Sequence, residues 1–200
     1  MTVTYSKKAS GNKKLSENFT VSEFACKDGS DKIIIDTELV ALLQKIREHF
    51  KKPVTITSGY RNAAYNKKVG GAPNSQHCLG TAADIVISGV NPIEIAQYAE
   101  YLLGKSGGIG LYKSFTHVDM RKNRARWDNT SGKEVSVSGF PGYVHKLKNA
   151  DEITWELNHN YFKISEYDKF ISELDKAKKE GSSLYWGYYK LVNKRAGLYN

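Results

Sequence analysis

The chain has few cysteines and no long hydrophobic run. Its 200 residues include 2 Cys and 4 Pro, so a disulfide framework is excluded, and Cys26 and Cys78 allow at most one bridge. Isolated thiols of this kind suit a reducing compartment. No stretch approaches the roughly 18 apolar residues that a membrane span requires, so we expect no span. The basic segment 1–16 is not followed by an apolar run, and we therefore expect synthesis in the cytoplasm without a standard signal peptide.

Acidic residues are in deficit. The chain carries 30 Lys+Arg and 21 Asp+Glu, a formal net charge of +9. A basic surface suits nucleic acid, but it equally suits a polyanionic matrix such as a bacterial wall with acidic polymers. The sequence has no Cys/His finger spacing and no recognisable nucleic-acid-reading motif, so we expect no nucleic-acid partner. Binding to DNA with steep salt dependence and no zinc requirement would contradict this expectation.

Hydrophobic periodicity predicts both helices and strands. Apolar residues at helical spacing predict a helix over residues 36–51, and Asn91-Pro92 begins a second amphipathic helix. Alternating or continuous apolar runs predict strands at 54–57, 83–87, 107–112 and 116–120. We therefore predict an α+β fold with helices packed on a small, largely antiparallel sheet.

A polar run after Trp127 has the composition of a domain boundary. We predict a catalytic domain at residues 1–127, a linker at 128–134 and a small accessory region at 135–200. The accessory region is rich in aromatic residues, with a helix predicted at 167–180 and an aromatic cluster at 185–189. These side chains either build the core of a short segment or stack on sugars and bind the cell wall.

Two histidines have neighbours that suggest a metal site. His77 and Asp84 are separated by seven residues, so they reach a common ion only if the chain turns between them, and Gly80 permits that turn. Asp84 opens an otherwise apolar strand, where a buried carboxylate without a partner costs several kcal/mol. On the later strand, the period of two places His117, Asp119 and Arg121 on one face.

Two imidazoles and one carboxylate are typical of a hydrolytic zinc site. Such sites have three protein ligands and keep a fourth position for water. His77, Asp84 and His117 provide this set. Cys78 is interpreted as a packing residue, because adjacent residues rarely point to one ion.

The ordered motifs around these residues resemble a known family. The string S-x-H-x-x-G-x-A-x-D covers residues 75–84. It is preceded by S-G-Y-R at 58–61 and Y-N at 65–66, and followed by G-I-G-L-Y at 108–112 and F-T-H-V-D at 115–119. Over roughly residues 15–127 the chain resembles the D-alanyl-D-alanine carboxypeptidase-like zinc peptidases, a group that includes many phage endolysins of Gram-positive hosts.

The resemblance implies roles for individual residues. It implies that His77, Asp84 and His117 bind Zn²⁺, and that Arg61 with Ser75 holds a peptide carboxylate or carbonyl. It also implies hydrolysis of a stem or cross-link peptide bond of peptidoglycan, next to a D-amino acid. Carboxypeptidase and endopeptidase modes both stay open. The expected setting is a phage lysin that reaches the wall through a separate membrane pore.

The general base is the point at which the sequence departs from the family pattern. Many members place Glu or Asp three residues before the second histidine ligand, where this chain has Ser114. Asp119 is our candidate base because it shares a strand face with His117, although it could instead orient that ligand. Tyr112 is a candidate substrate-binding residue that could stabilise an oxyanion, with core packing as the alternative.

Simpler interpretations remain for several of these residues. Arg61 could cap or pair with the helix around Glu48, and Ser75 could be only a helix cap or a turn former. A non-catalytic zinc module for wall binding or virion structure is the alternative function, and the absence of an acid at Ser114 supports it. The sequence does not predict the oligomeric state.

Overall fold

The computed structural model describes residues 1–140. These residues form a mixed α+β structure. The strands are β1 (Thr2–Ser6), β2 (Lys32–Asp36), β3 (Val54–Ser58), β4 (Ala82–Ile87), β5 (Gly108–Leu111), β6 (Thr116–Asp119), β7 (Ala125–Asp128) and β8 (Val135–Ser136). The helices are α1 (Lys7–Ser10), α2 (Thr37–Phe50), α3 (Ala63–Lys68) and α4 (Pro92–Leu103), with a 3₁₀ helix at Val21–Phe24.

The strands form two sheets. Strands β1 and β2 make a separate antiparallel ribbon, while the other six strands lie in the order β3-β4-β6-β5-β7-β8. Every pair in the larger sheet is antiparallel except β5 with β7. The predicted α+β class with a mostly antiparallel sheet is therefore confirmed for the described residues.

The two long helices begin at side-chain caps. The Asp36 carboxylate accepts hydrogen bonds from the backbone N–H groups of Glu38 and Leu39, so the predicted first helix starts one residue later than expected. Asn91 and Glu94 form a capping box at the start of α4. Both caps satisfy backbone donors that the helix itself leaves unpaired.

One face of the larger sheet carries the core. Because side chains alternate along a strand, Ile85 and Val118 lie on this face, and both are fully buried. Leu39, Leu43 and Ile46 from α2 belong to the same hydrophobic cluster. The alternate positions on β4 and β6 point the other way, so Asp84 and His117 face an open cleft.

Two pairs of strands were not predicted from the sequence. Strand β1 of the β1–β2 ribbon, Thr2–Ser6, lies in the segment that the sequence showed only to be basic. Strand β7 lies at the predicted end of the catalytic domain. Strand β8 brings residues 135–136 of the predicted accessory region into the sheet. The division into domains stays a prediction, because the helix at 167–180 and the aromatic cluster lie outside the described residues. Within residues 1–140 no helix is long and apolar enough to cross a membrane.

Candidate metal centre and cleft

His77, Asp84 and His117 converge at the centre of the sheet. Asp84 on β4 is paired in register with His117 on β6, and His77 lies in the turn before β4. His77 Nε2 lies 3.2 Å from Asp84 Oδ1 and 3.2 Å from His117 Nδ1, and the last two atoms are 2.8 Å apart. All three side chains are buried. The three donor atoms thus face a common point.

The turn at Gly80 brings His77 to the strand. Gly80 has φ +72° and donates its backbone N–H to the His77 carbonyl at 3.2 Å. A Cβ at this position would lie 2.3 Å from the carbonyl oxygen of Ile34. Only glycine therefore combines this backbone angle with such close packing, and the turn expected from the sequence is present.

Each histidine has a hydrogen bond that fixes its ring. His77 Nδ1 lies 2.7 Å from the Gly59 carbonyl oxygen, which can only accept, so Nδ1 donates and Nε2 is left for a ligand. His117 Nε2 lies 3.0 Å from Asp119 Oδ2, which leaves Nδ1 facing Asp84 and His77. This is the arrangement of ligand and supporting acceptor that is typical of metal-bound histidines.

The contacts of Asp119 favour the orienting role. Its side chain is 0% exposed and accepts hydrogen bonds from the Gly108 backbone, from Arg121 and from His117. It contacts His117 through Nε2, whereas the converging donor atom of His117 is Nδ1. Asp119, our candidate general base, is therefore placed to hold a ligand ring, which is the second role that the sequence left open.

The electrostatics of the cluster depend on close charges. Burial raises the pKa of Asp84, but hydrogen bonds and charge from His117 and His77 outweigh it and hold the pKa well below its usual range. Burial lowers the pKa of His117, yet the hydrogen bonds and charges of Asp119 and Asp84 raise it to about 9. Without a metal, His117 therefore holds a second proton at neutral pH.

Arg61 lies beside the cluster. Its Nη2 is 2.6 Å from Asp84 Oδ2, and its Nε donates to the Ser58 hydroxyl at 2.7 Å. The simpler interpretation was that Arg61 contacts the helix around Glu48. Its ion pair with Asp84 places it beside the three converging side chains instead. Ser75 lines the same cleft, and its hydroxyl accepts from the His77 backbone N–H at 3.3 Å.

A cleft of about 1020 Å³ opens over the cluster. Six of the predicted site residues line it: Arg61, Ser75, His77, Asp84, Tyr112 and His117. The seventh, Asp119, is fully buried and contacts His117. Residues of β7 and of the segment around β8 also line the cleft. The structure thus brings the predicted ligands and substrate-binding residues to one concave surface.

Sequence reasoning missed Trp127, and it placed Arg121 on the strand face of His117 without giving it a role. The indole of Trp127 lies 5.1 Å from the His117 ring, measured between centroids, and Arg121 holds Asp119 through Nε and Nη2. The available signal was the G-I-G pattern of β5, because Gly108 and Gly110 pair with Asp119 and His117. Two glycines facing the site indicate large side chains lying over that strand.

Other candidate ligands lie apart from this set. Within residues 1–140, His77, Asp84 and His117 are the one group of His, Cys, Asp or Glu residues whose donor atoms could share an ion. Cys26 and Cys78 are free thiols. His49 stacks on Tyr98. The remaining histidines, at 145 and 159, lie outside the described residues.

The donor set fits zinc. Zn²⁺ takes nitrogen and carboxylate ligands at about 2.0–2.2 Å in tetrahedral geometry, so its ligand atoms are separated by about 3.3 Å. The observed separations of 2.8–3.2 Å need only a small expansion to match. Three protein donors also leave one tetrahedral position for water.

Comparison with known proteins agrees with this geometry. A family model described as Peptidase M15 matches residues 17–119, a range that holds all three converging residues. The Haemophilus influenzae protein named "Probable peptidoglycan L,D-endopeptidase MepK" is 38% identical over 73 residues, which cover 33% of this chain. The match spans 38% of that relative's length.

Proposed function

Because the chain belongs to the peptidase M15 family, we propose that it is a zinc-dependent peptidoglycan peptidase. It hydrolyses a stem or cross-link peptide bond next to a D-amino acid. The single observation that carries this proposal is the convergence of His77, Asp84 and His117 under an open cleft. The name of the Haemophilus influenzae relative supports the choice of peptidoglycan as substrate.

His77 Nε2, Asp84 Oδ1 and His117 Nδ1 would hold the zinc. When bound, zinc supplies Lewis-acid polarisation of the scissile carbonyl and lowers the pKa of a water to about 7. The protein holds the donor atoms in place through the Gly59 carbonyl and the Asp119 carboxylate. The buried position of the three side chains keeps competing water away from these contacts.

Arg61 and Ser75 are proposed to seat the substrate. The guanidinium of Arg61 lines the cleft while its Nη2 pairs with Asp84. A planar guanidinium recognises carboxylate or carbonyl oxygens through parallel N–H groups. The reaction consumes one water: its oxygen and one hydrogen go to the acyl carbon as a carboxylic acid, and the other hydrogen goes to the released amine.

We propose that the chain acts on the wall after release from the cytoplasm in which it is made. Its net charge of +9 favours association with anionic wall polymers. The setting as a phage endolysin rests on the family resemblance alone.

The direct test is digestion of purified peptidoglycan. The zinc-loaded chain should release fragments with new amino groups, and mass spectrometry of defined muropeptides should identify one bond next to a D-amino acid. A terminal residue lost alone means carboxypeptidase action, whereas a cut cross-link means endopeptidase action. Chelation of zinc and His77→Ala should each abolish release, while His49→Gln, outside the cleft, should not.

A wall-binding zinc module is the second candidate. Its support is the absence of an acid at Ser114 together with the engagement of Asp119 by His117 and Arg121. A chain that binds zinc and sediments with walls, but releases no fragments at any pH, would favour this candidate and overturn the peptidase proposal.

A further inference from the structure

An aromatic wall, formed by Tyr112, Phe115 and Trp127, stands beside the metal ligands. All three side chains line the cleft together with His117. The Tyr112 and Phe115 rings are stacked at 4.2 Å with an angle of 12° between their planes. The Trp127 and His117 rings are 5.1 Å apart between centroids. The wall therefore reaches from the edge of the cleft to a ligand ring.

The sheet makes room for Trp127. It is paired in register with Gly110, which is also paired with His117 on the other side of β5. A Cβ at Gly110 would lie 2.3 Å from Cε2 of the indole. The indole thus lies directly over β5, where a larger residue would push it away from His117.

Trp127 fixes the hydroxyl group of Tyr112. The indole Nε1 lies 3.2 Å from the Tyr112 oxygen. An indole N–H can only donate, so the Tyr112 oxygen accepts this bond and its own hydrogen stays available for another acceptor. The stack on Phe115 fixes the plane of the Tyr112 ring. The hydroxyl is thereby held as a donor in the cleft.

We propose that Tyr112 donates a hydrogen bond to the carbonyl oxygen of the cleaved peptide as negative charge develops on it, and that Trp127 is the positioning residue for this donor. This inference rests on the proposed peptidase function and deepens it. Donors aimed at a developing oxyanion act mainly on the transition state, so they raise kcat more than they lower KM. Trp127 acts through Tyr112 and not on the substrate.

A double-mutant cycle tests the pair. Tyr112→Phe keeps the ring and removes the donor, while Trp127→Phe keeps an aromatic ring and removes the indole N–H. We expect Tyr112→Phe to lower kcat about 100-fold with KM within about twofold. Trp127→Phe should lower kcat about tenfold in the wild-type background and leave it unchanged in the Tyr112→Phe background, because its bond acts through the missing hydroxyl.

Inhibitor affinity, zinc content and thermal stability provide readouts in addition to turnover. A phosphinate pseudopeptide, in which P(O)OH–CH₂ replaces the cleaved amide, imitates the transition state, and both variants should bind it more weakly by the same factors as their loss of kcat. Zinc content and thermal unfolding should match those of the wild type. Tyr5→Phe, on the distant β1 strand, is the matched control and should change neither readout.

The possible outcomes separate the two proposals. A wild-type chain that cleaves no peptidoglycan overturns the proposed function and this inference with it. A cleaving wild type with unchanged kcat in Tyr112→Phe overturns the inference alone. If the effects of Trp127→Phe and Tyr112→Phe add in the double variant, Trp127 does not act through Tyr112, and its positioning role is wrong.

Discussion

The two imidazoles of the cluster are held by acceptors of different charge. His77 donates to the neutral carbonyl of Gly59, whereas His117 donates to the carboxylate of Asp119. His117 also faces Asp84, so two carboxylates act on one ring. These two carboxylates raise the pKa of His117 to about 9 although its burial lowers it.

The raised pKa of His117 predicts that zinc binding is coupled to proton release. A zinc ligand must be the neutral imidazole, so below pH 9 the metal has to displace one proton from His117. The apparent affinity for zinc should therefore rise about tenfold per pH unit between pH 6.5 and 8.5. Competition with a chromogenic chelator measures this slope. An affinity that stays constant over this range would contradict the protonation of His117.

The role of Asp119 predicts a distinct phenotype for Asp119→Asn. If the carboxylate orients His117, its loss should weaken zinc binding about 10- to 100-fold, as other changes to supporting partners do. Activity should then return at high zinc concentration. Zinc titration of turnover provides the measurement.

The matched control for this substitution is Asp128→Asn. Asp128, the last residue of β7, accepts hydrogen bonds from the backbone N–H and the hydroxyl of Thr130, so the change should leave zinc affinity unchanged. An Asp119→Asn chain that keeps full zinc affinity but loses turnover at every zinc concentration would instead assign Asp119 as the general base.

Single residues were predictable where their chemistry was unusual for their position. Asp84 was recognisable as a carboxylate in an apolar strand, and His117 shares a strand face with Asp119. The role of Asp119 was not predictable, because it depends on which nitrogen of His117 faces the metal. That choice follows from the positions of Asp84 and His77, which lie far away in the sequence.

Strand β5 contributes to the site through two residues that have no side chain. Gly108 and Gly110 face the site, and a Cβ on Gly108 would lie 2.1 Å from Asp119 Oδ2. Both absent side chains leave room for groups from the neighbouring strands. The element therefore contributes space to the site and core residues, including Ile109, to the other face.

Gly110→Ala is predicted to lower both stability and activity. The added methyl group would meet the Trp127 indole at 2.3 Å, so the free energy of unfolding should fall by about 1–3 kcal/mol, as in other overpacked sites. Displacement of Trp127 should also reduce turnover. Urea unfolding and an assay of fragment release provide the two measurements.

The control for this prediction is Gly29→Ala. Gly29 has φ +85° and open space around its Cα, so alanine there should cost roughly 1 kcal/mol through backbone strain alone. It should leave turnover unchanged. A Gly110→Ala chain as stable and active as the wild type would show that the indole does not need its position over β5.

Elements with a local signal were predicted, and those that depend on distant partners were not. Helices α2 and α4 have caps and apolar spacing in their own sequence, and β3 to β6 carry apolar runs. Strand β7 has no such run, because Arg126 occupies one of its positions. Its Nε pairs with Glu100 at 2.6 Å, and its guanidinium also donates to the carbonyl of Gly107. The sequence does not predict this buried ion pair, because Glu100 lies on α4 and Arg126 on β7, and the fold brings them together.

The site as a whole is assembled from segments far apart in the chain. Gly59, His77, Asp84, His117 and Trp127 come from five separate parts of the described residues, and the sheet order β3-β4-β6-β5-β7 brings them together. The sequence indicated the ligand set and the family. The aromatic wall and the cleft depend on the parallel pairing of β5 with β7, which no local pattern encodes.

Crystallographic localisation of zinc tests the central claim most directly. Crystals of the zinc-loaded chain, measured on both sides of the zinc absorption edge, should show one anomalous peak about 2.0–2.2 Å from His77 Nε2, Asp84 Oδ1 and His117 Nδ1. A peak bound elsewhere, or these three side chains hydrogen-bonded to one another without a peak in the presence of zinc, would contradict the account.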